Sequence, residues 1–119
     1  GGGGSASAKT IAIARRGVDN LLRHAGVLDG EPDIQASQML DMPGSDCFVT
    51  CDRSGLLEMC VDLGAPVKKG DLLGRVYEVE RTGVAPTDFY AAMDGILAGR
   101  HYPGLIGMGD MLAMIAVPV

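Results

Sequence analysis

Gly55-Leu56-Leu57 through Gly70-Asp71-Leu72-Leu73 returns later in the chain as Gly95-Ile96-Leu97 through Gly109-Asp110-Met111-Leu112. The offset is 40 from Gly55 to Gly95 and 39 from Asp71 to Asp110, so one residue is lost inside the second copy. Gly64 pairs with Gly104, Val67 with Ile106 and Val76 with Ile115. Self-similarity of this kind is the signature of a structural unit built more than once. It predicts two strand–turn–strand units related by an approximate two-fold axis.

Outward from the repeat, the texture from Ile34 onward is one of short apolar segments separated by Gly, Pro and Asp. Strands are predicted near Ile34–Leu40, Cys47–Cys51, Leu56–Leu63, Leu72–Glu80, Asp94–His101 and Met111–Val117. Turns fall at Met42-Pro43-Gly44, Arg53-Ser54-Gly55, Lys69-Gly70-Asp71, Gly104 and Gly109-Asp110. Many short strands at near-regular spacing indicate a mainly β barrel or sandwich. In each Gly-Asp pair, Gly tolerates positive φ and Asp can bond neighbouring backbone amides in a tight turn. Thr82 to Thr87 reads as an irregular excursion in the hairpin between the repeats.

Residues 6–25 carry a different period. Ile11, Ala14, Val18, Leu21, Leu22 and Ala25 recur at spacings of three and four, which lays them along one helical stripe. Ser5 or Ser7 can cap its start, and Gly26 sits where a left-handed C-terminal residue belongs. Gly30 to Asp33, with Pro32 inside, reads as a linker. The chain therefore divides into a Gly-rich start and helix (1–28), a linker (29–33) and a β domain (34–119).

The composition of the 119 residues, 47% hydrophobic and 21% charged, is that of a globular chain. A net charge of −5 argues against a nucleic-acid surface, which needs clustered Lys and Arg. The basic pairs Arg15-Arg16 and Lys68-Lys69 read as solvated surface. No apolar run approaches the roughly 20 residues of a membrane helix, and no signal peptide is visible. Cys47, Cys51 and Cys60 are odd in number and lie in apolar strand sequence, so they read as buried thiols of a reducing compartment, the cytoplasm.

Chemistry is sparse. His24 and His101 stand in no His-x-x-Glu or His-Glu-x-x-His arrangement, and Cys47-x-x-x-Cys51 lacks a second pair to complete four ligands. There is no Gly-x-Ser-x-Gly elbow, and Cys60 has no evident base. Gly104 to Gly109 has no Lys and no following helix, so it is a turn and not a phosphate loop. The seven Met residues suggest adaptable core filling. Tyr90 and Tyr102, with polar tips close to turns, are the candidates to line a substrate channel in a neighbouring domain. No catalytic residue and no metal ligand is assigned within the chain.

The repeat resembles the biotinyl/lipoyl-carrier type of barrel-sandwich hybrid, where the modified Lys sits on the hairpin between the two halves. Here Val76 to Asp94 contains no Lys, and the only lysines are Lys9, Lys68 and Lys69, which excludes a carrier function. The fold expected is thus a mainly β barrel-sandwich hybrid preceded by one α-helix.

Ala14-Arg15-Arg16-Gly17-Val18-Asp19-Asn20-Leu21-Leu22-Arg23-His24-Ala25-Gly26 resembles the helix that closes the catalytic domain of the succinylglutamate desuccinylase/aspartoacylase family. Ser54-Gly55-Leu56-Leu57-Glu58, Leu63-Gly64-Ala65-Pro66-Val67-Lys68-Lys69-Gly70-Asp71 and Asp94-Gly95-Ile96-Leu97 resemble that family's C-terminal β domain, most of all in its N-alpha-acetyl-diaminobutyrate deacetylase-like branch. The resemblance implies a zinc-dependent deacylase of N-acyl amino acids. In it two His and a Glu hold the metal, and a further Glu, just before a Gly-rich stretch like Gly1 to Gly4, is the base. No position here matches those residues. The resemblance therefore implies a C-terminal accessory fragment that binds no zinc itself. Its partners would be the catalytic domain of the same polypeptide, a small N-acyl amino acid substrate of the parent enzyme and further copies in a homo-oligomer. The competing reading is a stand-alone, non-catalytic β binding or scaffold module.

Overall fold

The computed structural model describes residues 6–119, so Gly1–Gly4 and Ser5, read above as a Gly-rich start and a candidate cap, lie outside the described residues. The chain divides into two compact units, one ending at Ser37 and one running from Gln38 to Val119.

In the first unit, helix α1 spans Ala8–His24. Ser7 caps it: its hydroxyl accepts from the Thr10 N–H at 3.2 Å while its own N–H donates to Thr10 Oγ1 at 2.8 Å, satisfying two amides that a helix start leaves orphaned. Past the C-terminal end, Gly26 adopts φ of 73° and Val27 N–H bonds back to the Leu22 carbonyl at 2.9 Å. The linker is tied down by Asn20, whose amide donates to the Asp33 carbonyl at 2.7 Å and accepts from its N–H at 2.8 Å. No residue of α1 is buried, and Ile11, Val18 and Leu21 of the apolar stripe are more than half exposed.

The second unit is antiparallel β. Its strands are β1 (Leu40–Asp41), β2 (Phe48–Thr50), β3 (Gly55–Met59), β4 (Pro66–Val67), β5 (Leu72–Tyr77), β6 (Thr87–Tyr90), β7 (Gly95–Arg100), β8 (Leu105–Ile106) and β9 (Met111–Pro118). One sheet has the order β1-β9-β7-β4 with β2 also on β9; the other has the order β6-β5-β3-β8. The repeat extends through both. Val67 pairs with Gly95 as Ile106 pairs with Gly55, so each half lends its short strand to the other half's long one. Phe48, Val49 and Thr50 face Met114, Ala113 and Met111 as Asp88, Phe89 and Tyr90 face Arg75, Gly74 and Leu72. Both pairings carry a register shift at the matching step.

The Gly-Asp turns cross between halves. Gly70 and Gly109 have φ of 90° and 89°. Asp71 Oδ2 accepts from the Lys68 N–H at 2.9 Å, and Asp110 Oδ2 from the Gly107 N–H at 2.8 Å. Gly70 N–H donates to the Ala91 carbonyl and Ala91 N–H to the Asp71 carbonyl; Gly109 and Asp110 make the same pair of bonds with Cys51, all at 2.8–2.9 Å. Leu73, Leu97, Leu112 and Ile115 are fully buried between the sheets, joined by Cys51, Val67, Val76, Ala91 and Ile106.

Several expected elements are shorter or differ. Of Ile34–Leu40 only Leu40 joins a strand: the Met39 carbonyl accepts from the Val119 N–H at 3.0 Å just outside it, and Ile34 is 84% exposed. The strand expected over Leu56–Leu63 ends at Met59, where Ala65 N–H closes a turn on the Asp62 carbonyl at 3.2 Å and Gly64 takes φ of 86°. The strand from Leu72 stops at Tyr77. A short helical turn, Ser45–Cys47, precedes β2. Strands β4, β6 and β8 were not expected; two of them are only two residues long. Cys60 is exposed, unlike the buried Cys47 and Cys51, since it lies just past the end of β3. Met59 and Met93 pack on the core as expected of gap-fillers, but Met39, Met42, Met108 and Met111 are exposed because they sit in turns or at strand ends.

Gly55 and Gly95 occupy equivalent positions where a Cβ would collide with the carbonyl oxygens of Tyr77 and Ala116. Gly55→Ala and Gly95→Ala should therefore each cost about 1–3 kcal/mol through backbone displacement, read as matching falls in the midpoint of thermal unfolding. A variant of either as stable as the parent chain would refute the close approach.

Candidate functional site

The outward side chains of β3, β5 and β6 form one row of hydrogen bonds and ion pairs. Strand register sets it: Arg75 on the central strand stands opposite Glu58 on one side and Asp88 on the other. Arg75 Nε lies 3.2 Å from Asp88 Oδ1 and Nη1 3.9 Å from Glu58 Oε2. Tyr77 Oη donates to Glu58 Oε2 at 2.7 Å, and Tyr90 Oη to Asp88 Oδ2 at 3.2 Å. The row thus runs Tyr90, Asp88, Arg75, Glu58, Tyr77, with Tyr90 more than half exposed. Hydrogen bonding to the neighbouring carboxylate raises the Tyr77 phenol above its ordinary value, and the Asp88 carboxylate raises Tyr90 in the same way.

Beside this face, a cavity of about 470 Å³ opens between the start of β3, β8 and the loop that joins β5 to β6. Val76, Val79, Val84, Ala85, Leu105 and Ile106 supply its apolar walls. Two ion pairs stand at its rim, beside Glu80. Arg53 bonds Asp52 through Nε at 2.8 Å and Nη2 at 3.1 Å, and reaches Thr87 Oγ1 at 2.6 Å with Nη1. Arg81 bonds Glu78 twice, at 2.7 and 2.9 Å. Those hydrogen bonds hold the Asp52 and Glu78 carboxyls below the ordinary carboxylate range.

Of the two residues picked from the sequence, Tyr90 belongs to the row on the second sheet, whereas Tyr102 lies in the turn between β7 and β8, also more than half exposed. Asp88, Arg75, Glu58, Tyr77 and Arg53 were not singled out. Extending the repeat 40 positions from Phe48–Thr50 to Asp88–Tyr90 would have exposed β6, but no residue is identical across that stretch. Among the described residues, no three of His, Cys, Asp and Glu come together in a way that could hold a metal ion. The His101 ring is engaged with the Leu105 carbonyl, 2.9 Å from Nε2, and Cys51 Sγ donates to the Arg53 carbonyl at 3.0 Å. The row offers phenol donors, carboxylates and one held guanidinium: groups that bind and orient. Among the described residues, no helix is long and apolar enough to cross a membrane.

The Tyr77–Glu58 bond makes a signed prediction. The folded phenol titrates above the ordinary 10.0, so the bond's contribution to stability is complete below that pH and is lost as pH rises through the folded value. Glu58→Gln removes the charge, and phenolate absorbance should then show Tyr77 titrating at lower pH, nearer the ordinary value. An unmoved titration curve would show that Glu58 does not govern the phenol.

No protein-family model matches the chain. It is 45% identical to N-alpha-acetyl-L-2,4-diaminobutyric acid deacetylase of Halomonas elongata, over 98% of this chain and 34% of that protein. The product-bound structure of the ectoine utilization protein EutE (DoeB) from Ruegeria pomeroyi superposes with a TM-score of 0.82 and 50% identity, covering 98% of this chain and 36% of that one. A succinylglutamate desuccinylase structure from Silicibacter sp. gives a TM-score of 0.81 and 46% identity, covering 100% and 36%. The chain spans about a third of the length of these relatives. It is a close homologue of the C-terminal part of N-alpha-acetyl-diaminobutyrate deacetylase and succinylglutamate desuccinylase/aspartoacylase family proteins.

Proposed function

We propose that this chain is the C-terminal, non-catalytic part of a larger cytoplasmic polypeptide that removes the acyl group from an N-acyl amino acid of the acetyl-diaminobutyrate, succinylglutamate or N-acetylaspartate type. The observation that carries this is identity of 45–50% over nearly the whole chain with relatives about three times as long, one of them named as a deacetylase. The second unit is read as a barrel-sandwich hybrid, supported by the two halves that exchange their short strands. The segment 1–28, with the wholly unburied α1, is assigned to the end of the catalytic part; residues 29–33 are the linker, and 34–119 the accessory domain. Three free thiols agree with a reducing compartment.

Zinc, which the relationship implies, does not fit the side chains described here, since no three ligands converge. Its ligands would come from outside this chain, where the metal would polarise the amide carbonyl and activate water. No bond-making step is assigned to the residues of this chain. Their role is to pack against the catalytic part, to narrow the approach to its site and to support association of copies.

The complete polypeptide should hydrolyse N-acetyl-2,4-diaminobutyrate or one of the other two acyl amino acids and carry zinc by elemental analysis, while the 119-residue chain does neither. Hydrolysis and stoichiometric zinc in the short chain would overturn the assignment, as would a complete polypeptide inert on all three. If Tyr90 or Tyr102 lines the approach, Tyr90→Phe or Tyr102→Phe in the complete polypeptide should raise KM or lower kcat severalfold; two variants with unchanged kinetics would remove both tyrosines from that role.

A further inference from the structure

The cavity between β8 and the loop joining β5 to β6 is floored by core side chains and rimmed by ions. Val76 and Ile106 line it almost fully buried, whereas Val79, Val84 and Leu105 stand exposed along its walls. The two-fold places Met93, Cys47, Val117 and Val119 in the other half where this cavity has Arg53, Thr87, Glu78 and Glu80. The same backbone is therefore built without ions at these positions, and folding does not call for them. Exposed ion pairs add little stability in any case. Nor do the charges cancel. Arg53 is bonded to Asp52, and Arg81 to Glu78, but Glu80 makes no ion pair among the described residues. One carboxylate is thus left over beside an apolar concavity of about 470 Å³.

We infer that this cavity binds a short aliphatic ammonium ion, its charge against Glu80 and its alkyl stem along Val84, Leu105 and Ile106. The volume lies within the range of roughly 300–1,000 Å³ of small-molecule sites, where apolar walls supply contact area and a few polar groups fix orientation. The sign of the ligand follows from the pairing at the rim. An anion would have to take Arg53 from Asp52 and Thr87, or Arg81 from Glu78. A metal ion needs several protein ligands, and no three of His, Cys, Asp and Glu converge among the described residues. A single ammonium asks for one carboxylate. Its other N–H groups can stay in water, because Glu80 is itself exposed at the rim. The alkyl stem then covers apolar side chains that solvent disfavours.

The test is methyl NMR of the complete polypeptide with labelled Val and Leu, titrated with hexylammonium chloride. The resonances of Val79, Val84 and Leu105 should shift together and saturably, and their assignment residue by residue separates binding here from binding elsewhere. Hexanol, the neutral analogue of the same length, should bind about fivefold more weakly, since contact with one exposed carboxylate has a modest effect. Glu80→Gln should weaken hexylammonium by the same factor and leave hexanol unchanged. The two probes on the unaltered protein give the same reading if Glu80→Gln fails to fold. Absence of saturable shifts at these three residues would overturn the inference. So would equal affinity for the two probes, or hexylammonium affinity unchanged in Glu80→Gln. The readout needs no turnover, so its failure is distinct from failure of the proposed deacylation.

Discussion

The crossed Gly-Asp turns are the constraint on which the β unit depends. Each turn is local in one respect, since the Asp carboxylate bonds an amide three residues back in its own half. It is non-local in another, because its Gly and Asp backbones form a bonded pair with Ala91 or Cys51 of the opposite half. Neither half can complete its own turn alone. The two short strands repeat that logic, each closing on the other half's long strand at a glycine that admits no side chain. The buried set of Leu73, Leu97, Leu112 and Ile115 is therefore assembled from both halves at once. Contacts far apart in sequence dominate such a fold, so it gains stability only when both halves are in place.

This explains which elements could be read from the sequence. The helix was legible from its stripe and its caps because helical information is local, and the observed Ser7 cap and left-handed Gly26 lie where the residues placed them. The two-fold repeat was legible because the Gly-Asp turns demand particular residues. Strand ends were not, because a strand stops where its partner stops: apolar residues continue past Met59 to Leu63, but the ladder to β5 ends at the Cys60 N–H, bonded to the Leu73 carbonyl at 2.9 Å. Strands β4 and β8 are two residues long and carry no periodicity of their own. They exist only as partners for Gly95-Ile96 and Gly55-Leu56.

The candidate site was less legible for a related reason. Tyr90 could be picked as a phenol near a turn, but its neighbours in the row come from three strands 17 to 32 positions apart in the chain, reckoned from Glu58 to Arg75 and to Tyr90, and only register brings them together.

The two-fold also separates what folding requires from what it does not. Asp88, Arg75, Glu58, Tyr77 and Tyr90 have as counterparts Phe48, Met114, Ala98, Ala116 and Thr50, on the same strands of the same repeat. A sheet that accepts Met at one position and Arg at its equivalent has not chosen either for backbone reasons. Exposed ion pairs add little to stability, so the row is poorly explained as a stabilising device.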